Sequence, residues 1–192
     1  MNHIIKDFSH LIGNLPGFSS KLVEAHLGLY AGYVKKLNEI EEKLKTADPK
    51  DSNYSYGTFS ELKRREAVAF NGAYLHQLYF ENLTTKPTII TPELTQQLTA
   101  AFGSYEAFLD NLKGSATSTP GWVVLTKNKI DGLLHTYLVY EHHVNIPVHN
   151  EIILALDCWE HAFALDYGTD KPTYVNSFIK AINWNVVTQR AK

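Results

Sequence analysis

Only one cysteine, Cys158, stands in a chain of 192 residues. A lone thiol excludes an internal disulfide framework and any zinc or iron–sulfur site built on several cysteines. Beside an apolar segment, it is expected to be an inert buried thiol. Positive charge is not in excess either: 18 Lys and Arg against 20 Asp and Glu leave a net charge of −2, without the footprint of a nucleic-acid binder. No apolar run approaches the roughly 20 residues of a membrane-spanning helix. Lys6, Asp7, His10 and Pro16 interrupt the N-terminal stretch, so it lacks the apolar core of a secretory signal. Internal repeats and low-complexity tracts are absent. The expectation is a cytoplasmic protein with neither nucleic acid nor membrane as a partner.

What is present is a globular composition, 44% hydrophobic and 20% charged, in a chain long enough for one large domain or two small ones. Nine histidines and a 12% aromatic content supply the residue types of a buried redox-metal site. Leu22, His26, Leu29, Tyr33 and Leu37 recur at helical spacing and predict a helix over 18–46. Leu62, Ala67, Phe70, Tyr74 and Leu78 predict a second over 60–82. The polar loop between them, from Asp48 to Gly57, makes the pair an antiparallel hairpin. Two prolines in 84–92 mark a linker. Residues 92–112 read as helical, with Ser104 capping a second segment, and 114–121 as a loop. The period then changes to strands at 122–126, 133–140 and 152–156, with a turn at Asp131-Gly132. A last amphipathic helix is expected over 173–183. The fold class is α+β: an N-terminal helical hairpin domain (1–87), then an α/β domain (88–192) with a small three-stranded antiparallel sheet.

The apolar run 152–156 leads into Asp157-Cys158-Trp159-Glu160-His161. A buried Asp157 is costly unless it is paired or bound to a cation. An acid and a histidine four residues apart could be a pair on one helix face. They could equally be two ligands, since a carboxylate oxygen beside an imidazole suits iron or manganese. His26 and His76 lie on or beside the apolar stripes of the two predicted helices, where a lone histidine is more often a core residue than a ligand.

The run 157–161 resembles the Asp-x-Trp-Glu-His-Ala-Tyr signature of the iron/manganese superoxide dismutases. The resemblance extends to Gly121-Trp122 and to Tyr33-Val-Lys-Lys-Leu-Asn38 in the first helix. It implies one iron or manganese ion per subunit, held by His26, His76, Asp157 and His161. It further implies superoxide as substrate, dioxygen and hydrogen peroxide as products, and a homodimer or tetramer. In that family a glutamine or histidine faces the metal-bound solvent. Position 72, one helical turn before His76, is glycine, so the role falls to His142 of the sheet; the alternative is a surface cluster with His143 and His149. Trp122 and Trp159 would wall the site, and Glu160 would bridge to the partner's copy of the last ligand.

Two departures concern the entrance. The family has a histidine and a tyrosine four and eight positions after the first ligand, whereas this chain has Tyr30 and, one place early, Tyr33. A straight helix lacking a family bulge would let Tyr33 still serve as the gateway. Phe163-Ala164 stands where Tyr-Tyr is usual, which together with Tyr30 suggests a rebuilt entrance. A non-catalytic dismutase-like metal-binding or structural protein is the alternative that these departures keep open. A zinc hydrolase is disfavoured because no His-Glu-x-x-His motif is present.

Overall fold

The computed structural model describes residues 2–192. The hairpin is built from α1 (Ser20–Leu44) and α2 (Thr58–Glu81). Ser19 starts α1, its hydroxyl accepting from the Leu22 amide at 3.1 Å, as an N-cap should. The buried residues of α1, Leu22, Val23, His26, Tyr30, Val34, Leu37 and Ile40, form one stripe at three- and four-residue intervals. That stripe packs against Ala69, Gly72, Ala73, Leu75, His76, Tyr79 and Phe80 of α2. Two residues of the N-terminal segment are tied to the hairpin: His3 exchanges hydrogen bonds with the Asn38 side chain, and the Lys6 amide donates to the Tyr30 hydroxyl.

Two short helices follow, α3 (Pro92–Phe102), capped by Thr91, and α4 (Tyr105–Thr117), capped by Ser104. The expected loop over 114–121 is therefore only its last four residues, since α4 runs through Gly114. An exposed helical glycine costs only about 1 kcal/mol relative to alanine, and the burial of Leu112 and Ala116 on either side carries the helix past it.

The sheet holds β1 (Trp122–Asn128), β2 (Leu134–Val139) and β3 (Asn150–Asp157) in the order β2-β1-β3, all antiparallel. The β1–β2 turn closes through Gly132 at φ +74°, a left-handed conformation open to glycine. Trp122 pairs with Asp157, so the first residue of β1 sits beside the last of β3. After a 3₁₀ turn (Glu160–Ala162) come α5 (Ala164–Tyr167), α6 (Lys171–Ala181) and α7 (Trp184–Arg190). The sequence pattern predicts α6 but neither α5 nor α7.

One buried residue joins the two halves. Asn82, at the C-terminus of α2, accepts from the Ala155 amide at 3.1 Å and donates to the Ile153 carbonyl at 3.3 Å. It thereby satisfies the outer edge of β3, an edge that would otherwise be unpaired. Asn82→Ala leaves two buried backbone groups without partners, at about 1–3 kcal/mol each. Denaturant unfolding should show that loss, and an unchanged midpoint would contradict it.

Candidate metal centre

His26 reaches inward from the second turn of α1, His76 from the last turns of α2, Asp157 from the end of β3 and His161 from the 3₁₀ turn that follows. Asp157 and His161 are thus not on one helix; the strand stops at Asp157 and the chain turns. One donor atom from each of the four lies within 4.8 Å of the others. Asp157 Oδ2 is 3.1 Å from His26 Nε2, 3.0 Å from His161 Nε2 and 3.5 Å from His76 Nε2. The Nε2 atoms of His76 and His161 face each other at 3.3 Å.

Each orientation has a local cause. His76 Nδ1 lies 2.5 Å from the Gly72 carbonyl one turn back, so Nδ1 carries the proton and Nε2 presents a lone pair. Asp157 Oδ1 accepts from the Trp159 amide at 2.9 Å, which turns Oδ2 towards the histidines. The Tyr174 hydroxyl donates to the Asp157 carbonyl at 2.7 Å and lies 3.3 Å from the Tyr79 hydroxyl, fixing the end of β3 from beneath.

His26, His76 and Asp157 are buried, and the His161 side chain is 30% exposed. Burial lowers the pKa of His26, and lowers that of His76 to about 3, so both are neutral, ligand-competent imidazoles at neutral pH. Burial alone would raise the Asp157 pKa; hydrogen bonds from His161 and His26 outweigh it and hold the carboxyl below its usual range. A buried carboxylate oxygen converging on three imidazole nitrogens is the donor set of a candidate cation site. Three nitrogens and one hard oxygen fit iron or manganese, and the set lacks the thiolates of a structural zinc site.

Around the donors stands an aromatic wall. Trp122 meets the His76 ring edge-on at 4.9 Å, and Trp159 stacks parallel to His161 at 6.5 Å. Tyr79 and Phe80 each lie 4.9 Å from the His26 ring. The last two and Tyr174 are absent from the sequence-based site. Tyr79 and Phe80 follow His76 by three and four residues, which places them on its helix face, and that spacing was the available signal.

His142 is buried, whereas His143 and His149 are exposed, so the three do not form one surface cluster. Its Nδ1 accepts from the Trp122 indole at 3.0 Å, and its Nε2 lies 2.6 Å from the Tyr33 hydroxyl. The indole can only donate, so the neutral His142 ring carries its proton on Nε2 and gives it to Tyr33. Tyr33 stacks on His76 at 5.2 Å. α1 is an uninterrupted helix here; seven residues at about 100° each bring Tyr33 to within about 20° of the direction of His26. Burial, with the nearby charges of Asp157 and Glu141, raises the Tyr33 pKa, so the phenol stays protonated at neutral pH.

Tyr30 does not stand in an entrance. It is buried against Phe8 and Phe80, and its hydroxyl accepts from the Lys6 amide at 3.1 Å. Within the subunit Tyr30 thus packs into the core instead of lining an entrance. Ala164 and Glu160 are exposed, and Phe163 is buried against Tyr174.

Fold and site together define a candidate metal centre of three histidines and one aspartate, set between a helical hairpin and the sheet. Comparison with known proteins agrees. The family model of the C-terminal domain of iron/manganese superoxide dismutases matches residues 90–190. A protein of Aquifex pyrophilus named as an iron superoxide dismutase is 35% identical over 92% of this chain and 85% of its own length. One from Aquifex aeolicus, also named for iron, is 34% identical over 98% and 91%. One from Mycolicibacterium smegmatis named for manganese is 30% identical over 98% and 92%. The chain belongs to the iron/manganese superoxide dismutase family, and its activity is the dismutation of superoxide to dioxygen and hydrogen peroxide.

Proposed function

We propose that His26, His76, Asp157 and His161 hold the single iron or manganese ion of each subunit, and that His142 and Tyr33 serve its reaction. The observation that carries this reading is the convergence of the four donor atoms within 4.8 Å around a buried carboxylate. An iron or manganese ion held there would supply the one-electron redox chemistry that the dismutation needs. The rest falls to the chain. Asp157 supplies the only anionic ligand, so a trivalent ion keeps a formal charge of +2, favourable for an incoming anion. Trp122, Trp159, Tyr79 and Phe80 exclude bulk water and preserve the strength of these charges. His142 Nε2–H donates to the Tyr33 oxygen, which leaves the phenolic proton free for the oxygen species being reduced.

Tyr33→Phe removes that proton and keeps the ring. A positioned proton donor typically contributes roughly 10²–10⁴-fold. With His142 and solvent remaining, turnover should fall by about ten-fold at saturating superoxide, with metal content unchanged. Steady-state kinetics equal to those of the parent would remove Tyr33 from the mechanism.

The subunit acts as a homodimer, or as a tetramer made of two such dimers, bridged by Glu160. His161 makes its polar contacts through Nε2, and its Nδ1 has no partner among the described residues. Glu160, one residue away, is exposed and forms no ion pair among them. A two-fold arrangement places each carboxylate against the other subunit's imidazole. The chain divides into a hairpin domain, 1–87, and an α/β domain, 88–192, a boundary supported by the start of the family match at residue 90. Its setting is the cytoplasm, in keeping with the single buried thiol of Cys158; no described helix is long and apolar enough to cross a membrane.

A further inference from the structure

We infer that Gly72 is a positioning residue for Tyr33: the space a side chain would take at position 72 is filled by the Tyr33 ring. A Cβ built on Gly72 would lie 2.5 Å from Tyr33 Cδ1, 2.7 Å from Cε1 and 2.9 Å from Cγ. Real Cβ atoms do not come that close to a neighbour, so one partner must move. Gly72 is buried inside α2, and its carbonyl receives His76 Nδ1. The backbone is therefore held by the helix and by a candidate ligand, and the ring is what gives way.

The ring has somewhere to go. Beyond Tyr33 a cleft of about 280 Å³ opens between α1 and α2, lined by Ile40, Leu62, Val68 and Ala69. A ring pushed into it carries its hydroxyl away from His142, now 2.6 Å distant, and lifts it off the His76 face. The seven-residue spacing from His26 to Tyr33 and the glycine at 72 are thus two parts of one arrangement. An unbroken α1 delivers the tyrosine in line with the first ligand, and a glycine on the facing helix admits it. His142, in the turn that follows β2, holds the hydroxyl of the tyrosine so admitted.

This inference rests on the proposed role of Tyr33, and the test separates the two. Gly72→Ala is placed in three backgrounds of the metal-loaded protein: the parent, Tyr33→Phe and Tyr33→Ala. Thermal unfolding and turnover are measured in each. With an aromatic ring present, in the parent and the Tyr33→Phe background alike, the added methyl lowers the melting temperature. In the Tyr33→Ala background it does not, and alanine's better helix propensity gives an equal or higher melting temperature. Turnover falls several-fold on adding the methyl to the parent and falls no further in the Tyr33→Phe background, because only the hydroxyl's position matters to it. A melting loss of the same size in all three backgrounds overturns the inference. So does a turnover loss that persists without the hydroxyl. Should Gly72→Ala fail to fold in the parent but fold together with Tyr33→Ala, the steric claim stands; failure in both backgrounds sinks it. If Tyr33→Phe alone leaves turnover unchanged, the catalytic role of Tyr33 fails, and the melting series still decides the packing.

Discussion

Asp157→Asn yields a folded protein that purifies without iron or manganese and turns over superoxide at background. The substitution keeps the shape of the side chain and removes its charge. Asp157 is fully buried and is the one anion facing His26, His76 and His161. Loss of a group that merely supports a ligand typically costs 10–100-fold in metal affinity, so loss of the only anionic ligand costs more than about 100-fold. The fold survives because the backbone contacts of Asp157, its carbonyl to Tyr174 and its place opposite Trp122, do not involve the carboxylate. Metal analysis and circular dichroism on the same sample check both halves of the expectation. Full metal content in the Asp157→Asn protein would show that the carboxylate is not a ligand.

The second large effect is on assembly. With Glu160 bridging two subunits as proposed, Glu160→Ala is expected to leave monomers at micromolar concentration. Truncating one member of a desolvated, hydrogen-bonded charge pair costs about 2–5 kcal/mol, and a two-fold interface loses two such pairs. The total, about 4–10 kcal/mol, corresponds to roughly 10³–10⁷ in dissociation constant. Sedimentation velocity should show a species near the 21.7 kDa of one chain. It should be accompanied by lower turnover, since each freed His161 loses the acceptor for its Nδ1. A variant that remains fully dimeric would move the bridge away from Glu160.

Much of the site was legible because its parts obey local rules. Asp157 and His161 are nearly contiguous, and an acid placed after an apolar strand needs a partner wherever it ends up. His26 and His76 sit in helical stripes whose period could be counted. Tyr30 illustrates the limit. It lies four residues after His26, on the same side of α1 as Tyr33, and spacing alone does not say which tyrosine meets the metal centre. The decision is tertiary: the N-terminal segment covers Tyr30 through Lys6 and Phe8, while Gly72 of α2 leaves room beside Tyr33. The helix α7 was missed for another reason. Its seven residues include Val186, Val187 and Thr188, weak helix formers, and tertiary packing of Trp184 and Val187 against the rest of the core stabilises it. Tyr174 carries no local mark of its role, because its hydrogen bond to Asp157 spans 17 residues and depends on how α6 docks.

The central claim is that these four side chains hold one redox-active ion that performs the dismutation. The most direct test is elemental analysis of the purified protein, with superoxide turnover measured on the same preparations at graded metal content. The account predicts up to one iron or manganese per chain, and turnover proportional to that occupancy. Occupancy by zinc alone, or full iron or manganese content without turnover, would contradict it.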